Sequence, residues 1–163
     1  MKYSGIIEEQ LNFEIELEKV FSQIGEAKLA VLATSSQNKP TVRTMSIVFY
    51  NGKIYCQTSA DYLKCKQISE NNSVALCIFN LQIEGIANIK GKTTEFNDFM
   101  EIYKKNHEDS YKKYSRLECS RLIEIIPQKI IKWDYNSDGK PYRIFLELDN
   151  KKVYREMEKY TEN

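Results

Sequence analysis

The chain has 163 residues, 42% of them hydrophobic and 29% charged, enough for one domain that buries roughly two-thirds of its unfolded surface without metals or disulfides. Its 24 Lys and Arg balance 23 Asp and Glu to a net charge of +1, which excludes a long-range field and leaves any polyanion partner to be argued from a local patch. No stretch approaches the ~20 consecutive apolar residues of a membrane span, and Met1 to Gly5 lead into an acidic segment unlike a targeting peptide. The sequence therefore reads as a cytoplasmic protein with no membrane contact. Cys56, Cys65, Cys77 and Cys119 show no ligand spacing and are read as thiols. With His107 as the single histidine, no metal site is expected.

In chain order, Leu11, Ile15, Val20, Phe21 and Ile24 mark one face of a helix over Glu8 to Ile24, with Gly25 as its C-terminal cap. Leu29 to Thr34 is a short apolar run, Ser35 to Lys39 a turn, and Thr41 to Tyr50 a strand rich in β-branched and aromatic residues. Asn51-Gly52 then joins it to a strand over Lys53 to Thr58, the strongest short-range hairpin signal. Asp61 is the expected N-cap of a helix through Leu63, Lys64, Gln67 and Ile68. Ser73 to Asn80 and Ile83 to Phe96 read as strands, and Asn97 to Tyr114 as a helix burying Phe99, Met100 and Tyr103. Arg121 to Ile126 and Lys129 to Tyr135 are strand-like on either side of Pro127, and Asn136 to Gly139 turns the chain into Tyr142 to Leu148. The charged segment from Asp149 to Asn163 receives no element. Six or seven strands with helices inserted after the third and fifth fit no alternating βαβ scheme. The expected fold is a mainly β, antiparallel barrel with flanking helices, one domain over 1–163 with its core at about 24–148.

Conventional catalytic sets are missing. His107 sits in the charged run Lys104 to Asp109, which reads as a solvated helix face, and there is no GxGxxG, P-loop or HExxH motif. The basic residues say more. Period 2 places Arg43 on the face of Met45, Ile47 and Phe49, where a buried guanidinium needs a partner. Across the hairpin the strand ends in two hydroxyls, Thr58 and Ser59, and the next helix brings Lys64 to the same region. Two cations, two hydroxyls and a helix N-terminus suit a phosphate dianion. Taken singly, each has an ordinary structural role; the constellation carries the signal.

These stretches resemble the pyridoxamine 5′-phosphate oxidase-like family of FMN-binding split β-barrels. The likeness covers about Ile24 to Leu148 through Leu29-Ala30-Val31-Leu32-Ala33-Thr34, Pro40-Thr41-Val42-Arg43-Thr44-Met45, Ile54-Tyr55-Cys56-Gln57-Thr58-Ser59, Lys64-Cys65-Lys66-Gln67-Ile68, Asn71 to Leu76 and Ile89-Lys90-Gly91. The resemblance implies FMN as cofactor, its phosphate held by Arg43 and Lys64 with Thr58 and Ser59, and Thr44 and Met45 beside the isoalloxazine. It also implies a homodimer with the flavin at the subunit interface, where Trp133 and Arg143 match in type and separation two residues supplied by the neighbouring chain. Ile86 stands where the oxidases use a Gln, and Asp149 to Asn163 lack their basic, His-containing ending. The length therefore fits the shorter relatives similar to general stress proteins and nitroimidazole reductases.

The expected function is transfer of hydride or electrons between NAD(P)H and a small-molecule acceptor. Flavin chemistry needs no side-chain acid or base, so no catalytic residue is assigned; Tyr50, Tyr62 and Phe79 are candidates to line the open side of the ring. The alternative is a barrel that stores or senses a flavin or another phosphate ligand without catalysis. A nucleic-acid-binding barrel is disfavoured by the near-zero net charge.

Overall fold

The computed structural model describes residues 2–161, with side chains described for residues 4–159. The described elements run β1 (Lys2–Gln10), α1 (Phe13–Ile24), β2 (Ala27–Ser36), β3 (Lys39–Tyr50), β4 (Lys53–Ser59), α2 (Leu63–Glu70), β5 (Ser73–Ile78), β6 (Leu81–Lys92), α3 (Asn97–Asn106), α4 (Glu108–Tyr114), β7 (Ser120–Tyr135), β8 (Pro141–Glu147) and β9 (Lys152–Thr161). Six strands in the order β7-β4-β3-β2-β5-β6 form an antiparallel barrel, closed where β6 pairs β7. That closure places Leu32, Ile47, Ile54, Leu76, Ile83 and Ile125 in a fully buried interior. The mainly β split barrel with flanking helices is the fold the sequence leads one to expect.

Tight turns set the register. Asn51 and Gly52 both have positive φ (51° and 72°), as a type I′ hairpin requires, and Tyr50 pairs Lys53 across them. Gln37 and Asn38 (48° and 60°) do the same between β2 and β3. Helix α1 begins at Phe13 rather than near Glu8, because Glu8 to Gln10 belong to β1; its N-cap is Asn12, whose side chain accepts from the Ile15 amide. Helix α2 is not capped by Asp61. Tyr62 holds that position without a side-chain bond, while the Asp61 amide donates to the Ser59 hydroxyl.

Strand β7 runs unbroken through Pro127. Its first half pairs β4 up to Ile125, and its second half pairs β8 from Lys129, so the proline, which lacks a donor, falls where the strand changes neighbours. This exchange splits the barrel and launches the β8-β9-β1 extension. The charged segment Lys152–Thr161 is thus a strand between β8 and β1, with Val153 buried in the core. Alternating charges mask its inward positions. The helix expected over Asn97 to Tyr114 breaks at His107, and this residue is half-buried rather than solvated. Its Nε2 lies 2.9 Å from the Ile47 carbonyl oxygen and its ring 4.9 Å from that of Tyr103.

Opposite Pro127 the β6 register slips between Glu84 and Gly85, and a Cβ on Gly85 would stand 2.5 Å from the Ile126 carbonyl oxygen. Gly85→Ala is therefore expected to destabilise the fold by about 1–3 kcal/mol, measured as a lowered urea midpoint. An unchanged midpoint would contradict this close strand crossing.

Candidate functional site

Arg43 points into one end of the barrel. Its guanidinium donates to the Leu32 carbonyl (3.2 Å), the Thr34 hydroxyl (2.7 Å) and the Thr41 hydroxyl. Both hydroxyls in turn donate to Gln67 Oε1 (2.6 and 2.8 Å), and Gln67 Nε2 donates to the Lys39 carbonyl (3.0 Å), so helix α2 locks the arginine's cradle in place. One turn earlier on α2, Lys64 is only 9% exposed; its ammonium donates to the Thr58 hydroxyl (3.0 Å) and lies 4.6 Å from the centre of the Tyr62 ring.

Burial holds both cations below their ordinary pKa values, and for Lys64 the field of Arg43 adds to the effect. Among the described residues neither forms an ion pair with a carboxylate. A pair of repelling, partly buried cations without a counter-ion costs stability as it stands and is neutralised by an anion. Burial also pushes the nearby Cys56 thiol up to about 12, so it stays protonated.

Beside Lys64 opens a cavity of about 420 Å³, within the usual range for small-molecule sites. Of the residues singled out in the sequence, Thr44, Met45, Thr58, Ser59 and Lys64 line it; Arg43 does not. Trp133 and Arg143 are elsewhere. They face each other across β7 and β8, with Arg143 bonded to Glu156 (3.0 Å), and border a recess of about 30 Å³. Tyr62 lines the cavity; Tyr50 instead stacks on Tyr55 (4.3 Å), and Phe79 is exposed on a hairpin tip.

The far wall comes from the segment that α3 and α4 contribute, with Tyr103, Ser110 and Tyr114. Buried Gln57 fastens it to the barrel: Ser115 donates to its Oε1 (2.6 Å) and its Nε2 donates to the Ser110 carbonyl (3.3 Å). No local pattern in the sequence announces these contacts, which join residues more than fifty positions apart. Among the described residues no carboxylate or imidazole lines the cavity.

A model of the family described as pyridoxamine 5′-phosphate oxidase matches residues 17–134. The chain belongs to that family of split barrels. Among solved structures it is similar to the General Stress Protein 26 from Bacillus anthracis (23% identity, 80% of this chain and 97% of that one, TM-score 0.60). It is also similar to PhzG from Burkholderia lata, solved with tetrahydrophenazine-1-carboxylic acid (12%, 91% and 92%, 0.62), and to an FAD-binding protein from Mesorhizobium loti (11%, 94% and 99%, 0.57). At these identities the likeness is one of fold. A comparison with curated proteins finds no match.

The lowered pKa of Lys64 has a signed consequence. Between its folded value and the ordinary ~10.4, the unfolded chain holds a proton that the folded lysine has released, so stability rises with pH across that window. Lys64→Met is expected to be more stable than the parent at neutral pH, by a margin that shrinks as the pH approaches ~10.4. Urea unfolding of both proteins at several pH values measures the margin; a constant margin would contradict the assignment.

Proposed function

We propose that the protein is a homodimeric FMN-binding oxidoreductase that passes hydride or electrons between NAD(P)H and a small-molecule acceptor. The observation that carries this reading is the uncompensated Arg43–Lys64 pair beside a cavity of flavin-compatible size. A phosphate dianion supplies the missing counter-charge. Lys64, Thr58 and Ser59 would hold it at the cavity wall, and Arg43 would reinforce the field. Membership of the family supports a flavin, and the description of the Mesorhizobium loti protein as FAD-binding agrees with that class of cofactor.

The flavin, when bound, supplies the redox chemistry, and the chain's residues bind, orient and shield it. Thr44 and Met45 on β3 would run along the ring, and Gln57 would keep the α3–α4 wall closed against water. The cavity's lack of carboxylate and imidazole fits a reaction needing no side-chain acid or base. It also suits a flavin store, and turnover of NADPH with an added acceptor distinguishes the two.

The homodimer rests on the outer face of the barrel. Leu29 and Val42 are 62% and 68% exposed, Val31 is exposed between them, and Thr44 and Ser46 on the same face line the cavity. A second copy covering this stripe would bury apolar surface and wall the cavity at once. It would also let Trp133 and Arg143, remote from the cavity of their own chain, reach the partner's flavin.

Purified protein supplied with FMN is expected to show a bound-flavin visible spectrum; a chain that stays colourless would sink the reading. Arg43→Ala with Lys64→Ala removes the charge-assisted Lys64 contact, ~1.5–3 kcal/mol, together with the supporting field of Arg43, so FMN affinity measured by fluorescence titration is expected to fall at least ~100-fold. Unchanged affinity would refute the phosphate assignment.

A further inference from the structure

The directions of the hydrogen bonds that hold Arg43 are fixed from one residue. A backbone carbonyl can only accept, so it is the amide nitrogen of Gln67 that meets Lys39 (3.0 Å), and Oε1 is turned toward the hydroxyls of Thr34 (2.6 Å) and Thr41 (2.8 Å). Flipping the amide would set two carbonyl oxygens face to face at a side chain only 2% exposed. A hydroxyl has a single proton to give. Both protons go to Gln67, so both threonines offer only lone pairs to the guanidinium, which donates to each of them.

A carboxylate at the same place would accept the two hydroxyl protons equally well, and it would bring the counter-charge that Arg43 lacks among the described residues. It would stand one hydroxyl away from the guanidinium. At the i, i+3 spacing of helix α2 it would also share the buried side of that helix with Lys64. Two partly buried cations are a setting in which such a counter-charge is at home. The chain carries the isosteric amide instead, which aims Arg43 and leaves its charge unspent.

We infer that Gln67 is a positioning residue that sets the ligand selectivity of the cavity: by orienting Arg43 through neutral dipoles, it preserves the field that favours a phosphate-bearing ligand over the same ligand without its phosphate. This rests on the phosphate assignment proposed above and gives a part in it to a side chain outside the cavity lining.

Gln67→Glu changes the charge with almost no change in shape. The ratio of FMN to riboflavin affinity, measured by calorimetric titration at one ionic strength, is expected to fall about tenfold. The lost bond to Lys39 weakens both flavins alike, so a merely structural role leaves the ratio at its parental value, and that result overturns the inference. If Gln67→Glu does not fold, Thr41→Asp and Thr41→Asn carry the same comparison to the half-buried threonine that Gln67 orients. The aspartate variant is expected to show a ratio about tenfold below that of the asparagine variant; equal ratios overturn the inference. Inorganic phosphate gives a reading without flavin. At constant ionic strength it is expected to raise the urea midpoint of the parent and to raise that of Gln67→Glu less, and an equal effect on both overturns the inference. A parent that binds neither flavin but is stabilised by phosphate more than Gln67→Glu refutes the flavin and upholds the part of Gln67.

Discussion

Two positive charges that form no ion pair among the described residues determine the character of this protein. Arg43 and Lys64 are drawn out of water by different elements, β3 and α2; burial disfavours the charged form of both, and the field of Arg43 adds to the effect at Lys64. Among the described residues no carboxylate forms an ion pair with either. The fold surrounds them with neutral dipoles instead: three threonine hydroxyls, a backbone carbonyl and, one layer out, the Gln67 amide. Such dipoles orient a cation without cancelling its charge, which leaves the field directed at whatever enters the cavity.

The rest of the architecture follows from keeping that field in place. The I′ hairpin at Asn51-Gly52 brings the end of β4, with Thr58 and Ser59, back beside β3. Helix α2 is short, and half of its residues are buried against the barrel, so it serves to fix Lys64 and Gln67 rather than to display a surface. The α3–α4 segment, broken at His107, bends around the β3–β4 face and is pinned by Gln57, giving the cavity a wall that carries no competing charge. On the outer face of β2 and β3, Leu29, Val31 and Val42 are exposed. A second copy covering that side is what the proposed homodimer requires.

Much of this was legible in the sequence where the signal is local. Strand alternation alone placed Arg43 on an inward face, and the β4 end and the first turn of α2 announced Thr58, Ser59 and Lys64. The resemblance of these segments to a known family was confirmed over residues 17–134. What stayed hidden depends on long-range pairing. Strand β1 pairs with β9, and β9 in turn with β8, through backbones far apart in sequence, and the many charges of β9 hide its inward Val153. Pro127 imitates a strand end because the change of partners that tolerates it is a property of the whole sheet. His107 reads as solvated from its charged neighbours, but its position is set by a helix break over the Ile47 carbonyl. Phe79, a candidate from sequence to line the ring, stands instead on an exposed turn outside the cavity lining, because the β5–β6 hairpin places it there.

The central claim is that the buried cations await a phosphate, and a pair of ligands differing only in that group tests it most directly. Calorimetric titration with FMN and with riboflavin at one ionic strength compares the same ring with and without the dianion. If Lys64, backed by Arg43, supplies the counter-charge, FMN binds at least ~100-fold more tightly than riboflavin, in line with one charge-assisted contact together with the Thr58 and Ser59 hydroxyls. Equal affinities would place the phosphate outside the site and contradict the assignment.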